Sequence, residues 1–348
     1  MKSFLTNLAR YLFFIIGLLI ITHTTTPFDW GNEGIAVKRA YLDEKGRDSK
    51  NNQYNTFFLG SSRTYRHIIP SLFDSIIGHT KSYNFGINGL SSHESYWILE
   101  NLFKGSYFKK DDVIFLELQA FKGIPDKNLH SVRTKYFLNL ENLIFAIRVL
   151  LNEEHQGIGN HLISYCENVL RIGMVKAYVD HIFLNNISAK KRHYLGPKGD
   201  GFYSLDENLI HKGKGYKSLQ QRNTNFKQDF RVLKSRKKSI SNYFKKASSS
   251  TSFNQAHLNK ILQLIDLGNK QGVKIIFFYP PRLEDDIVEL YDSIPLPNKI
   301  ELANPNKYPE FYSLDNSFDV GHLNRRGAEV FTEALTKKVN EIKVYSLE

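Results

Sequence analysis

Three residue types that together can carry nucleophilic acyl transfer occur in two short segments far apart in the chain. The first, Phe57-Phe58-Leu59-Gly60-Ser61-Ser62, is an apolar run that stops at a Gly-Ser-Ser turn. The second, Asp319-Val320-Gly321-His322-Leu323-Asn324, is followed by Gly327-Ala328 and a helical pattern. A hydroxyl, an imidazole and a carboxylate supply a nucleophile, its general base and the group that orients the base. Three residues apart on a turn, Asp319 can hold Nδ1–H of His322 and leave Nε2 for the Ser62 hydroxyl. Asp315 is a rival acid at a different spacing. Each segment alone has a plainer reading. A Gly-Ser-Ser at a strand end often only caps the next helix, and an Asp-x-x-His is often a local hydrogen-bonded turn.

Positioning these groups requires strands that end on one edge of a sheet. Buried-strand signatures cover 56–59, closed by Gly60, then 82–85, 112–118 and 273–279, the last stopped by Pro280-Pro281. Helical patterns lie between and after them. One opens at Pro70, runs over 71–77 and is ended by Gly78; others cover 92–103, 257–267 and 327–339. Strands alternating with helices predict an α/β fold: three layers, with a central parallel sheet covered on both faces. In such sheets ligands bind at the carboxyl edge, where Ser62 falls. Residues 31–54 read as a polar spacer with a short helix at most.

The stretch 126–252 breaks the alternation. Its first part, 138–184, reads as helical, with Leu140, Leu143, Ile144, Ile147 and Leu151 spaced for one face. Its second part reads as loop-rich and basic. Between Ile187 and Lys246 there are 16 Lys and Arg against four Asp and Glu, an excess equal to the +12 of the whole chain. The basicity is therefore local. Ser248-Ser249-Ser250-Thr251-Ser252 reads as a linker. The expected organisation is an N-terminal anchor at 1–30, a first half-domain at 31–125, a basic insertion at 126–252 and a second half-domain at 253–348.

The motif set resembles the SGNH (GDSL-like) hydrolase superfamily, over roughly 55–121 and 273–339. Gly60-Ser61-Ser62 matches that family's Gly-Asp-Ser block, with Ser62 at the nucleophile and Ser61 in place of the aspartate. Asp319 and His322 match its Asp-x-x-His block. Tyr83-Asn84-Phe85-Gly86-Ile87-Asn88-Gly89 matches the block whose glycine N–H serves the oxyanion, which implies that role for Gly89 beside the N–H of Ser62. The third block departs. Where the family has Gly-x-Asn-Asp, the chain reads Glu117-Leu118-Gln119-Ala120-Phe121. The usual third donor is missing, or is replaced by the Gln119 amide. Arg63 and Asn324 are the candidate substrate-binding residues; the plainer readings are a solvated or ion-paired Arg63, and an Asn324 that holds the histidine loop through backbone contacts.

Composition and the N-terminus bound the setting. Lys2 and Arg10 precede the apolar run 11–21, and no acidic residue occurs before Asp29. This pattern reads as an uncleaved signal anchor, extended by Leu5, Leu8, Ala9 and the uncharged residues 22–27, with the bulk of the chain outside. A cleaved signal peptide is the competing reading, although no small-x-small site follows. The single cysteine, Cys166, excludes an intrachain disulfide framework. A phosphate-binding glycine loop, a His-Glu-x-x-His helix and a zinc-type cysteine pair are all absent, so neither metal nor organic cofactor is expected.

Together the resemblance and the N-terminus imply a single-pass protein of the bacterial cytoplasmic membrane with a periplasmic body. Its expected activity is an acyl esterase or O-acyltransferase on a cell-envelope polysaccharide. Similar anchored proteins include alginate O-acetyltransferase components and the D-alanine transfer protein of teichoic acid modification. They make a membrane-bound O-acyltransferase an expected partner, and the location argues against nucleic acid. The rival expectation is a non-catalytic envelope binding or scaffold protein on the same fold.

Overall fold

The computed structural model describes residues 2–25, 33–47, 54–121, 124, 128–129, 131–138, 140–151, 157–169, 194–206, 219–222, 225–246 and 255–345. The chain divides into two compact units. One comprises Met1–Arg39 with Lys122–Ile187, the other Ala40–Phe121 with Ser188–Glu348. The boundary after residue 187 falls inside the 126–252 stretch. Its serine-rich end lies outside the described residues, as do 170–184 of the expected helical stretch.

The larger unit is an α/β fold around five strands: β1 (Thr56–Leu59), β2 (Ser82–Asn84), β3 (Val113–Glu117), β4 (Lys274–Tyr279) and β5 (Lys299–Glu301). All pairs are parallel, in the order β2-β1-β3-β4-β5. The order reverses between β1 and β3, so their carboxyl ends diverge into connections on opposite faces and leave a crevice there. Four strands were legible as apolar runs. The fifth is three residues with one apolar side chain, Ile300, too short for any periodicity to register.

Side chains in register share a face. Phe58, Phe115 and Ile276 line one side of the sheet and join Phe73, Phe331, Leu335 and Val339 in one buried cluster. These come from α4 (Pro70–Ile77) and the C-terminal helix (Arg325–Glu341). Phe57, Ile114 and Ile275 face the other way, toward α5 (Ser92–Lys104) and the helix Gln255–Lys270, where Tyr96 meets Phe277 edge to face. Local signals set the ends of α4 and α5. Pro70 opens α4 and Gly78, at φ +87°, closes it; Ser91 and Glu94 cap α5 reciprocally.

Two expectations need correction. The polar stretch 31–54 contains a 15-residue helix, α2 (Glu33–Arg47), with Ile35, Lys38 and Leu42 buried at helical spacing. The region read as loop-rich and basic contains a 21-residue helix, Phe226–Lys246. Its apolar stripe was diluted by eight basic residues. Leu233 and Ile240 are nevertheless buried, and Ile240 joins the sheet cluster. It is α10 in chain order, after α3 (Ser62–His67), α6 (Val132–Phe137), α7 (Leu140–Leu151), α8 (Ile158–Val169) and α9 (Leu219–Arg222). The helices that follow are α11 (Gln255–Lys270), α12 (Val288–Ser293) and α13 (Arg325–Glu341).

In the smaller unit, α6, α7 and α8 form a helical layer. Asn168 donates to Leu129 O at 3.0 Å, and Asn142 donates to Phe137 O at 2.9 Å. Helix α7 buries Asn142, Ala146, Val149 and Leu150, while Ile144 and Leu151 are exposed. The expected face was therefore misassigned, because the helix is apolar nearly all round and spacing alone cannot choose a side. The first helix, α1, covers Lys2–Thr25, with its apolar side chains from Phe4 to Ile16 exposed. Among the described residues, no helix is long and apolar enough to cross a membrane.

The burial of Ile240 yields a test of the α10 assignment. Ile240→Ala should destabilise the larger unit by about 2–5 kcal/mol, the cost of a buried aliphatic truncation. Urea unfolding should show a lower midpoint, whereas the exposed Ile144→Ala should leave it nearly unchanged.

Candidate active site

The site is assembled from the loops after β1, β2, β3 and β4 and the segment leading into α13. After β1 the chain turns sharply at Gly60-Ser61 and enters α3 at Ser62. A Cβ on Gly60 would collide with Thr64 Oγ1 and with Glu117 Cβ, so only glycine admits this turn. Ser61 caps α3, its hydroxyl accepting from Arg63 N at 3.2 Å. The N–H groups of Thr64 and Tyr65 reach Ser61 O. As the first helical residue, Ser62 has no intrahelical acceptor for its own N–H.

Beneath this turn lies Glu117, the last residue of β3 and fully buried. Its Oε2 accepts from Ser61 N at 2.6 Å and Thr64 Oγ1 at 2.8 Å. Its Oε1 accepts from Ser61 Oγ at 2.8 Å and faces Arg63 NH1 at 3.4 Å. Four donors converge on one carboxylate, which fits an acceptor-only group. A serine at position 61 suits Glu117: a hydroxyl donates where a second carboxylate would repel.

The Ser62 hydroxyl sits 2.8 Å from His322 Nε2. His322 Nδ1 lies 3.0 and 3.1 Å from the two Asp319 oxygens. Asp319 Oδ1 also accepts from Gly321 N at 2.7 Å and His322 N at 2.8 Å. Burial pushes the Asp319 carboxyl up, but the His322 ring and the two backbone N–H groups outweigh it, leaving it below its usual range. Asp315 takes no part in orienting the ring; its carbonyl accepts from the Asn324 amide.

The loop carrying Asp319 and His322 is pinned from several sides. Arg282, fully buried, donates NH1 to Asp319 O at 2.9 Å and His322 O at 3.1 Å. Its Nε reaches Phe311 O at 2.7 Å and its NH2 reaches Ser317 Oγ at 2.6 Å. Burial lowers its pKa to about 10, which leaves the guanidinium charged at neutral pH. His67, also buried, accepts the Leu323 N–H on Nε2 at 3.1 Å. Burial, reinforced by the charges of His322 and nearby arginines, pushes His67 well below the usual imidazole range, so it stays a neutral acceptor. From α10, Arg236 NH1 donates to Val320 O at 3.0 Å.

The remaining expected residues fall as follows. Gly89 lies on an exposed turn at φ +64°, and that turn is tied to the nucleophile turn by Ile87 N–H to Gly60 O at 2.8 Å. Asn84, on β2, donates to Thr64 O and Ile68 O, both at 2.9 Å, which fixes α3 against the sheet. Gln119 is buried, and its Nε2 has no acceptor among the described residues. That donor is also shielded from solvent, so serving an oxyanion requires a side-chain rotation. Arg63 pairs with Glu117, in keeping with its ion-paired reading. Asn324 is the N-cap of α13: it is buried, accepts from Gly327 N at 2.8 Å and donates to Asp315 O, so it holds the histidine loop through backbone contacts. Glu117, Arg282 and His67 were not anticipated. A glutamate closing an apolar strand was the only signal of the three in the sequence.

Among the described residues, no cluster of His, Cys, Asp and Glu could hold a metal ion. No protein-family model matches this chain, and no curated protein is similar enough in sequence to count as a relative.

The four-donor clamp gives a prediction. Glu117→Gln replaces an acceptor oxygen by an NH2 that must face a donor, Ser61, Thr64 or Arg63. Leaving such buried groups mismatched should cost about 1–3 kcal/mol, read as a lower melting temperature.

Proposed function

We propose that this protein is a membrane-anchored, extracytoplasmic acyl esterase or O-acyltransferase acting on a cell-envelope polysaccharide. The observation that carries the reading is the line of contacts from Ser62 Oγ to His322 Nε2 and from His322 Nδ1 to Asp319. The residue resemblance to SGNH hydrolases, the α/β sheet and the position of Ser62 at the β1/β3 crevice support it. The apolar N-terminal run, led by Lys2 and Arg10, supports the anchor and its orientation.

On this reading Ser62 Oγ attacks the carbonyl carbon of an ester or thioester, and its proton passes to His322 Nε2. Asp319 holds the ring and offsets the charge of the imidazolium. The N–H groups of Ser62 and Gly89 receive the oxyanion, with the Gln119 amide as a third donor after rotation. When the tetrahedral adduct collapses, the carbonyl–leaving-group bond breaks, and His322 returns the proton to the departing oxygen or sulfur. The acyl group, now on Ser62, passes to water or to a sugar hydroxyl whose proton His322 accepts. A membrane-bound O-acyltransferase is the proposed source of the acyl group.

Hydrolysis of a small activated ester such as p-nitrophenyl acetate tests this. Ser62→Ala and His322→Ala should each lower kcat/KM by roughly a thousandfold or more, with Asp319→Asn impaired less. Ser61→Ala should lose far less than Ser62→Ala. A wild-type protein with no turnover above background would favour the non-catalytic binding or scaffold reading.

A further inference from the structure

We propose that α10 carries a linear anion-binding stripe whose occupant is an extended acidic glycan. The stripe consists of Lys227, Arg231, Lys234, Lys238 and Lys245, all exposed on a continuous helix. Their spacings of four, three, four and seven residues keep them within about 60° of arc at ~100° per residue. At ~1.5 Å per residue the row is about 27 Å long. It is therefore one residue wide and five charges long.

The stripe is unbalanced. The helix has eight basic residues and a single acidic one, Asp229, which falls outside the row. None of the five cations has an ion-pair partner among the described residues. The opposite side of the helix is committed to the sheet through Leu233 and Ile240. The row is thus held facing outward, and among the described residues no carboxylate relieves its mutual repulsion.

Its shape favours a polymer over a surface. A bilayer-binding helix flanks its cations with apolar side chains that insert between lipids. Here Ser235 and Asn242 lie beside the row, and the one apolar side chain next to it is exposed Phe230, stacked on Phe226. Hydroxyl and amide groups pair with sugar hydroxyls, and an aromatic ring can lie against a sugar face. A charge about every 7 Å along the helix matches an acid group every sugar or two of an extended chain. The same helix touches the catalytic loop through Arg236 and Val320 O, so a polymer on the stripe passes alongside the candidate site. Assigning the polymer as acyl acceptor rests on the proposed function; its binding does not.

The test is therefore a binding titration in the Ser62→Ala background, using polygalacturonate, a linear glycan with one carboxylate per sugar. Lys234→Ser with Lys238→Ser, and Arg231→Ser with Lys245→Ser, should each weaken binding roughly tenfold or more and flatten its salt dependence. The control pair Lys110→Ser with Lys337→Ser should bind as the parent does, and neutral dextran should not bind. Circular dichroism checks that each variant keeps its fold. Parent-like affinity in both stripe pairs would overturn the proposal. Equal or tighter binding to phosphatidylglycerol vesicles or to oligothymidylate would overturn the glycan as occupant. Absence of ester turnover in the native Ser62 protein, with polymer binding intact, would count against the catalytic reading alone.

Discussion

The buried carboxylate of Glu117 is the fixed point on which the candidate site depends. It closes β3 at the place where the sheet order reverses, and it takes four donors from the turn and first helical residues after β1. That carboxylate would be costly to bury alone, and its donors would be costly to bury without it. The result is a turn with little freedom. Gly60 is forced to be glycine, Ser61 to be a donor, and Ser62 Oγ to face His322 rather than the sheet. Thr64 and Arg63, which look unremarkable in sequence, are bound to the same carboxylate.

The other half of the site is held by a separate buried charge. Arg282 spreads its guanidinium over the carbonyls of Phe311, Asp319 and His322 and the Ser317 hydroxyl. His67 supplies a neutral acceptor for Leu323 N–H. A planar fork with several fixed donors suits this task better than an ammonium would. One anion thus fixes the Ser62 turn and one cation fixes the His322 loop. The Ser62–His322 hydrogen bond is the join between the two frames.

Much of this was legible before any coordinates, and the failures have physical causes. Apolar runs ending in Gly60 or Pro280 marked strands, because a fully buried parallel strand has no polar face to confuse it. The short strand β5 and the helix α10 escaped. The first carries one buried side chain, and the second hides its apolar stripe among lysines. Asp319 and His322 were readable as a pair because their contact spans three residues, and Ser62 because it follows the glycine turn that closes β1. Glu117 and Arg282 were not, because their function lies in contacts between residues far apart in sequence. For Arg63 and Asn324 the sequence left two readings open, and the contacts to Glu117 and to the first turn of α13 match the structural ones.

The central claim is that His322 activates the Ser62 hydroxyl as a nucleophile. The most direct measurement is covalent capture by a fluorophosphonate, followed by tryptic digestion and fragmentation of the peptide 51–63, bounded by Lys50 and Arg63. The account predicts one adduct per chain, located on Ser62, and its loss in folded His322→Ala. An adduct on Ser61, an adduct on Ser62 that persists without His322, or no adduct on the native protein would contradict it.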